Sequence, residues 1–223
     1  MIKKGFYFPL VTFMFLPAFC FAQDSLRNSF SHLVGFGIIY TPNTSYDDGY
    51  TKSNVAYTNP GANLFYRFLI ANKNKHAVTA FTSNFFYRRG SVDIWTGTGS
   101  HFSYTNYSGT FEFVKWNQGV SRFGLVNVSK RISLSVGGGF ESGLQIYAKG
   151  NIKEDSYYIT SGNVSPNHVI SSLYLALNME LNFTIKLSTN HSLILGVKQF
   201  FETSDVSTPK NNLSTNGFIA FKL

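Results

Sequence analysis

The run LYLALNMELNFTIKL, residues 173–187, limits the fold more than any other feature, because it places an apolar residue at every second position. One set is Leu173, Leu175, Leu177, Met179, Leu181, Phe183, Ile185 and Leu187, and the set between is Tyr174, Ala176, Asn178, Glu180, Asn182, Thr184 and Lys186. A period of two is the strand period, since successive side chains point to opposite faces. A helix would spread the leucines around its circumference and bury Glu180 and Lys186 among them. The segment is also long. Soluble strands usually run about 5–6 residues, whereas this one at roughly 3.3 Å per residue reaches about 38 Å along an axis tilted by about 40°. That is enough to cross a hydrocarbon layer of about 25–30 Å.

The pattern recurs. HLVGFGIIYT puts Val34, Phe36, Ile38 and Tyr40 opposite Gly35 and Gly37, and ANLFYRFLI puts Leu64, Tyr66, Phe68 and Ile70 opposite Asn63, Phe65 and Arg67. HAVTAFTSNFFYR sets Phe81, Phe85 and Tyr87 against Thr82, Asn84 and Arg88, while VSRFGLVNV sets Phe123 and Leu125 against Arg122 and Gly124. ISLSVGGGFESGLQIY, SLILGVKQFF and NGFIAFKL complete eight segments with the one above. Their connections alternate: short near 71–75, 129–131 and 188–191, long near 42–60, 89–117, 148–168 and 202–213. An even count with short turns at one end and long loops at the other predicts an all-β fold, a transmembrane antiparallel up-and-down β-barrel of eight strands. Within the second long connection, HFSYTNY-SG-TFEFVKW reads as a further hairpin. It either extends the barrel above the membrane or raises the count to ten.

Composition agrees with lipid contact. Aromatic residues make up 17% of the chain and charged residues only 13%, against about 25% charged in an average soluble domain. The N-terminus, MIKKGFYFPLVTFMFLPAFCFAQDS, has Lys3 and Lys4 before an apolar stretch and the small-x-small site Cys20-Phe21-Ala22, which reads as a cleaved signal peptide over 1–22. Residues 23–223 then form one barrel domain. Cleavage removes the single cysteine, so no disulfide is expected, and leaves 17 basic against 11 acidic residues, a net charge of +6. The excess is dispersed and the chain is exported, so no nucleic-acid partner is expected.

On these segments the chain resembles the small eight-stranded outer-membrane β-barrel family of Gram-negative bacteria, the OmpA/OmpX-like type. The resemblance implies that the terminal strand is read by the barrel-insertion machinery. Ile219, Phe221 and Leu223 match the spacing of that signal, with Leu in place of the family's terminal aromatic residue. It also implies outer-membrane lipid and lipopolysaccharide as surroundings, and termini on the short-turn side, in the periplasm.

An eight-stranded lumen is just wide enough for side chains to fill. Arg67, Arg88, Arg122, Glu141, Glu180 and Lys198 are expected to face inward and pair as a salt-bridged plug, since an unpaired buried charge is costly. The alternative is a narrow path for ions or water. No HExxH, CxxC, GxSxG or phosphate-cradling loop occurs, the histidines are scattered, and neither metal nor cofactor is expected. His101-Phe102-Ser103 with Glu112 is similar to the His-x-Ser core and later Glu of lipid A deacylase barrels, which implies that His activates Ser and Glu orients His. Here Tyr104 stands where that family has Asn. The long loops are rich in Tyr, Asn, Ser, Thr and Gly, a composition suited to adaptable binding. The leading expectation is a non-enzymatic structural or surface-binding barrel. An accessory subunit of a larger outer-membrane transport or assembly complex comes second, and a deacylase third.

Overall fold

The computed structural model describes residues 28–72, 76–97, 104–156, 159–166, 171–202 and 212–223. Residues 1–22, read from the sequence as a signal peptide, lie outside them. The strands in chain order are β1 (Asn28–Tyr40), β2 (Thr44–Asp47), β3 (Thr51–Tyr57), β4 (Gly61–Asn72), β5 (Ala77–Gly97), β6 (Tyr104–Asn127), β7 (Ile132–Ser156), β8 (Ile159–Val164), β9 (Leu173–Lys186), β10 (Ser192–Glu202) and β11 (Asn212–Lys222). Eight of them form a closed antiparallel ring, β1-β4-β5-β6-β7-β9-β10-β11, which β11 completes by pairing back onto β1 from Leu33↔Lys222 to Tyr40↔Thr215. Closure leaves no sheet edge for lipid to face, which is what a strand protein needs in a solvent without hydrogen bonds. The remaining strands sit above the ring. The β2–β3 hairpin pairs onto the upper part of β5, and β8 pairs onto the upper part of β7.

The second connection differs from the sequence expectation. β5 and β6 pair without interruption from Ala77↔Gly124 up to Gly97↔Tyr104, so most of 89–117 is strand rather than loop. Ser108-Gly109 makes no turn. Gly109 sits inside β6 with φ +154°, and a Cβ there would fall 1.9 Å from the Asn151 carbonyl oxygen. The glycine serves a close approach of β6 and β7. The barrel count is therefore eight, with three long staves of 21, 24 and 25 residues in β5, β6 and β7.

Those staves explain why the hairpin reading failed, because their polarity inverts part-way up. Along the lower part of β5, Phe85 and Tyr87 point out while Thr82, Asn84 and Arg88 are buried inside. Higher up the same strand, Ser91 and Asp93 point out while Val92 and Ile94 are buried. On β6, Val114 and Trp116 face out beside inward Lys115 and Asn117, and above them Phe111 and Phe113 turn inward beside outward Glu112. The parity of the strand never changes; only the chemistry of each face does. On β7 a bulge assists: Val114 pairs with Tyr147 and Lys115 with Gln145, so Ile146 is the extra residue. Ile146 and Tyr147 both face out, and the next inward position becomes Ala148.

The inversion locates the membrane. The apolar wall ends in the cross-strand row Tyr87–Val114–Tyr147, and the next row outward is Arg89–Glu112–Lys149. Tyrosines at that level are the usual interfacial girdle of a barrel. From Glu112 down β6 to Arg122 is ten residues, about 25 Å along the membrane normal at a tilt of about 40°. Above the girdle the wall behaves as a soluble sheet, polar outside, with Val55, Tyr57, Val92, Ile94, Phe111, Phe113 and Ile152 packed together inside.

Candidate functional site

The lumen is filled in layers, because inward residues along a strand recur every second position, about 6.6 Å apart. β10 displays the order from the short-turn end: Ile194, Gly196, Lys198, Phe200, Glu202. The lowest layer is apolar, with Leu33, Phe65, Ile194, Phe218 and Ala220. Phe65 and Phe218 meet edge-to-face at 5.1 Å, and two glycines make the room. A Cβ on Gly35 would lie 2.5 Å from the Phe65 ring, and one on Gly196 would lie 2.2 Å from the Phe218 ring.

Above this layer lies the first charged cluster. Arg67 grips Glu180 with two parallel bonds, Nη1 to Oε1 at 2.5 Å and Nη2 to Oε2 at 2.7 Å. Its guanidinium also lies over the Phe65 and Phe218 rings at 4.7 and 5.2 Å. The Lys198 ammonium donates to Glu141 and lies 3.9 Å from Glu180. Asn84 Nδ2 donates to the other Glu141 oxygen at 2.9 Å. All four charged side chains are at most 5% exposed. A second aromatic layer follows, with Ile39, Phe86, Tyr174, Ala176 and Phe200. Beyond it Arg88 pairs with Glu202 at 2.8 Å, and the Ser214 hydroxyl donates to the same carboxylate. Alternating aromatic and ionic layers seal the lumen at several heights.

Of the residues expected inside, Arg67, Arg88, Glu141, Glu180 and Lys198 are buried in the lumen. Arg122 is not, and this corrects the sequence reading. It is exposed on the outer wall beside Gly138, while Phe123 is buried within. Counting parity down continuous β6 from Trp116 places even-numbered residues outside, a count hidden by reading 89–117 as loop. Its level near the short-turn edge of the apolar band lets the guanidinium reach lipid phosphates. The same misreading hid Lys115, buried with its ammonium 5.1 Å from the Phe113 ring and 5.6 Å from the Tyr174 ring. Glu202, placed at a loop start by the sequence, is the carboxylate of the upper cluster.

Ile219 and Phe221 face outward on β11, and Leu223, one residue past its end, is exposed as well. His101 and Ser103 lie outside the described residues. Glu112 is eight residues down β6 from Tyr104, about 26 Å of extended chain. The hydroxyls of Tyr87 and Tyr147 donate to its two oxygens at 3.1 and 3.2 Å. No group of three or more His, Cys, Asp or Glu side chains able to hold a metal occurs among the described residues.

A concave polar surface lies on the outside of the β2–β3–β5 sheet. Cross-strand pairing aligns Ser45, Asn54 and Asp93 in one row and Asp47, Lys52 and Trp95 in the next. They line an open groove of about 450 Å³. The Trp95 ring lies over Gly97, where a Cβ would fall 2.3 Å from a ring carbon. Lys52 and Asp47 make an exposed ion pair at 3.4 Å. The hairpin tip is fixed by Asp48, whose carboxylate accepts from the Thr51 and Tyr50 amides at 2.6 and 2.9 Å and from the Tyr46 hydroxyl at 2.9 Å. The Thr51 and Tyr50 amides, in that order, hold the Asp48 carboxyl below its ordinary range, and the Asp48 bond raises Tyr46.

No protein-family model matches the chain, and no curated protein matches it in sequence. Solved structures do match. Neisserial surface protein A is similar over 88% of this chain and 97% of its own, at 10% identity and a TM-score of 0.50. OprG from Pseudomonas aeruginosa is similar over 87% and 95%, at 12% identity and a TM-score of 0.48. Ail from Yersinia pestis is similar over 87% and 97%, at 13% identity and a TM-score of 0.38. At such identities the likeness concerns the fold, that of a small outer-membrane β-barrel.

Proposed function

We propose that the chain is a non-enzymatic outer-membrane barrel that acts through the sheet it raises above the membrane. The polarity inversion carries this reading. A protein whose only task was to fill lipid needs strands as long as the bilayer, yet β5–β7 continue well past the girdle and build a soluble sheet there. Export by cleavage of the 1–22 segment, insertion through the Ile219/Phe221/Leu223 strand and periplasmic termini belong to the same reading.

The groove beneath Trp95 is the binding surface. A flat aromatic ring beside carboxylates, an amide and a hydroxyl suits a hydroxyl-rich ligand, a surface glycan, with the ring stacking on the sugar and Asp93, Asn54 and Ser45 bonding its hydroxyls. The test is binding of the purified barrel in detergent to an immobilised glycan panel, with Trp95→Ala alongside. Glycan capture lost in the variant supports the assignment; equal capture by both, or by neither, removes it. The mass of the particle extracted from native membrane in mild detergent separates the main alternative. A lone barrel leaves the groove free for ligand, whereas a stable larger assembly makes it an accessory subunit and the upper sheet a partner contact.

A further inference from the structure

The outer wall carries a second concave feature, at the level where the wall changes from apolar to polar. Arg89 on β5, Glu112 on β6 and Lys149 on β7 stand in direct cross-strand register and face out. With Thr58, Thr110 and Asn151 they line a groove of about 580 Å³. Across three strands the two cations start roughly 10 Å apart at the backbone, within converging reach of an arginine and a lysine side chain. Among the described residues neither cation forms an ion pair, and Glu112 between them accepts from the tyrosine hydroxyls below it. Asp93 and Lys153 face the same side two rows higher, and Tyr87 and Tyr147 form the shelf beneath.

We infer that Arg89 and Lys149 form a lateral site for the phosphate of a membrane glycolipid in the outward leaflet. The level of the groove decides between a lipid and a free anion. One row below the cations the wall is lipid-facing, so a phosphate held between them has its acyl chains running down past Val114, Phe85 and Trp116. Arginine and lysine together supply the charge-assisted donors a phosphate needs. Glu112, the one acceptor between them, faces the place where a sugar hydroxyl adjoining the phosphate would sit. Thr110 and Asn151 offer further neutral partners on the polar side.

The inference rests on the reading of the chain as an outer-membrane barrel, and the two fail separately. The full mature barrel is reconstituted in phosphatidylcholine nanodiscs doped with bisphosphorylated lipid A, and the lipid it retains on release is counted by native mass spectrometry. Heat-modifiable migration is read on the same samples; a chain that does not fold and insert there fails the parent reading. A folded barrel should retain lipid A, and Arg89→Ala/Lys149→Ala should retain roughly thirtyfold less, from the usual contribution of two interfacial cations. Arg89→Lys should recover part of the loss, and Arg122→Ala, at the other face of the bilayer, should bind as the parent does. Equal retention by the double variant, equal retention of dephosphorylated lipid A, or displacement by inorganic phosphate would each overturn the assignment to a lipid phosphate.

Discussion

Removing Glu180 and removing Arg67 break the same bidentate bond, yet the two losses should differ. Glu180→Ala leaves the Arg67 guanidinium buried with no carboxylate, keeping only its contacts over Phe65 and Phe218. Arg67→Ala leaves Glu180 with the Lys198 ammonium 3.9 Å away and able to move closer. Orphaning a buried charge costs about 3–5 kcal/mol, so Glu180→Ala should lose about that much. Arg67→Ala should lose about 1–3 kcal/mol, the range for an under-satisfied buried group. Replacing both by leucine should cost less than Glu180→Ala alone, because no charge is stranded. The assay is urea unfolding from lipid vesicles, followed by the emission of Trp116, whose indole lies on the outer wall and donates to Ser83 at 2.9 Å. If both alanine variants lost less than about 1 kcal/mol, water would be screening the cluster and the sealed lumen would be wrong. A larger loss for Arg67→Ala than for Glu180→Ala would refute the assigned pairing.

Planar-bilayer recording of the parent barrel should show no steady conductance, since its ionic layers are closed above and below by aromatic side chains; discrete channels would contradict that filling. Lys115→Ala, which hollows the lumen, should destabilise by about 2–4 kcal/mol, while Arg122→Ala on the outer wall should stay within about 1 kcal/mol by the same unfolding assay. The Asp48 carboxyl titrates lower when folded, so its support of the β2–β3 tip is complete above the unfolded value near 3.9 and is lost as pH falls through the folded one. Amide exchange at Tyr50 and Thr51 should therefore accelerate relative to neighbouring amides only under acid conditions, and Asp48→Ala should abolish that pH step.

The membrane ring was legible because lipid favours an apolar residue at outward positions. Leu173 to Leu187 carries one at every such position, and so do β1 from Val34 to Tyr40 and β4 from Ala62 to Ile70. The reading broke where that preference stops applying. Phe111 and Phe113 are apolar for the opposite reason to Trp116, because they face an interior core above the bilayer rather than acyl chains. The adjacent pair Phe113-Val114 is the visible mark of the crossover, one residue serving each kind of oil, where the sequence alone suggests a hairpin. Arg122 followed from the same error, since a strand cut at Asn117 loses the parity that puts position 122 outside. Glu141 and Glu180 could be assigned to the lumen by alternation alone. Their partners depend on stagger between strands far apart in sequence, as in Arg67 with Glu180 and Lys198 with Glu141, and alternation carries no information about stagger.

The inverted staves also fix how the molecule floats. A barrel with uniform walls can ride up or down by a residue pair to suit the bilayer around it. Here a rise would lift Tyr87 and Tyr147 clear of the interface, and a descent would draw Arg89 and Lys149 into oil, while Arg122 meets the corresponding limit at the opposite surface. The waterline is set from both sides at about 25 Å. In a thicker bilayer the protein cannot shift its draught, so the surrounding lipid must thin or the whole barrel must lean.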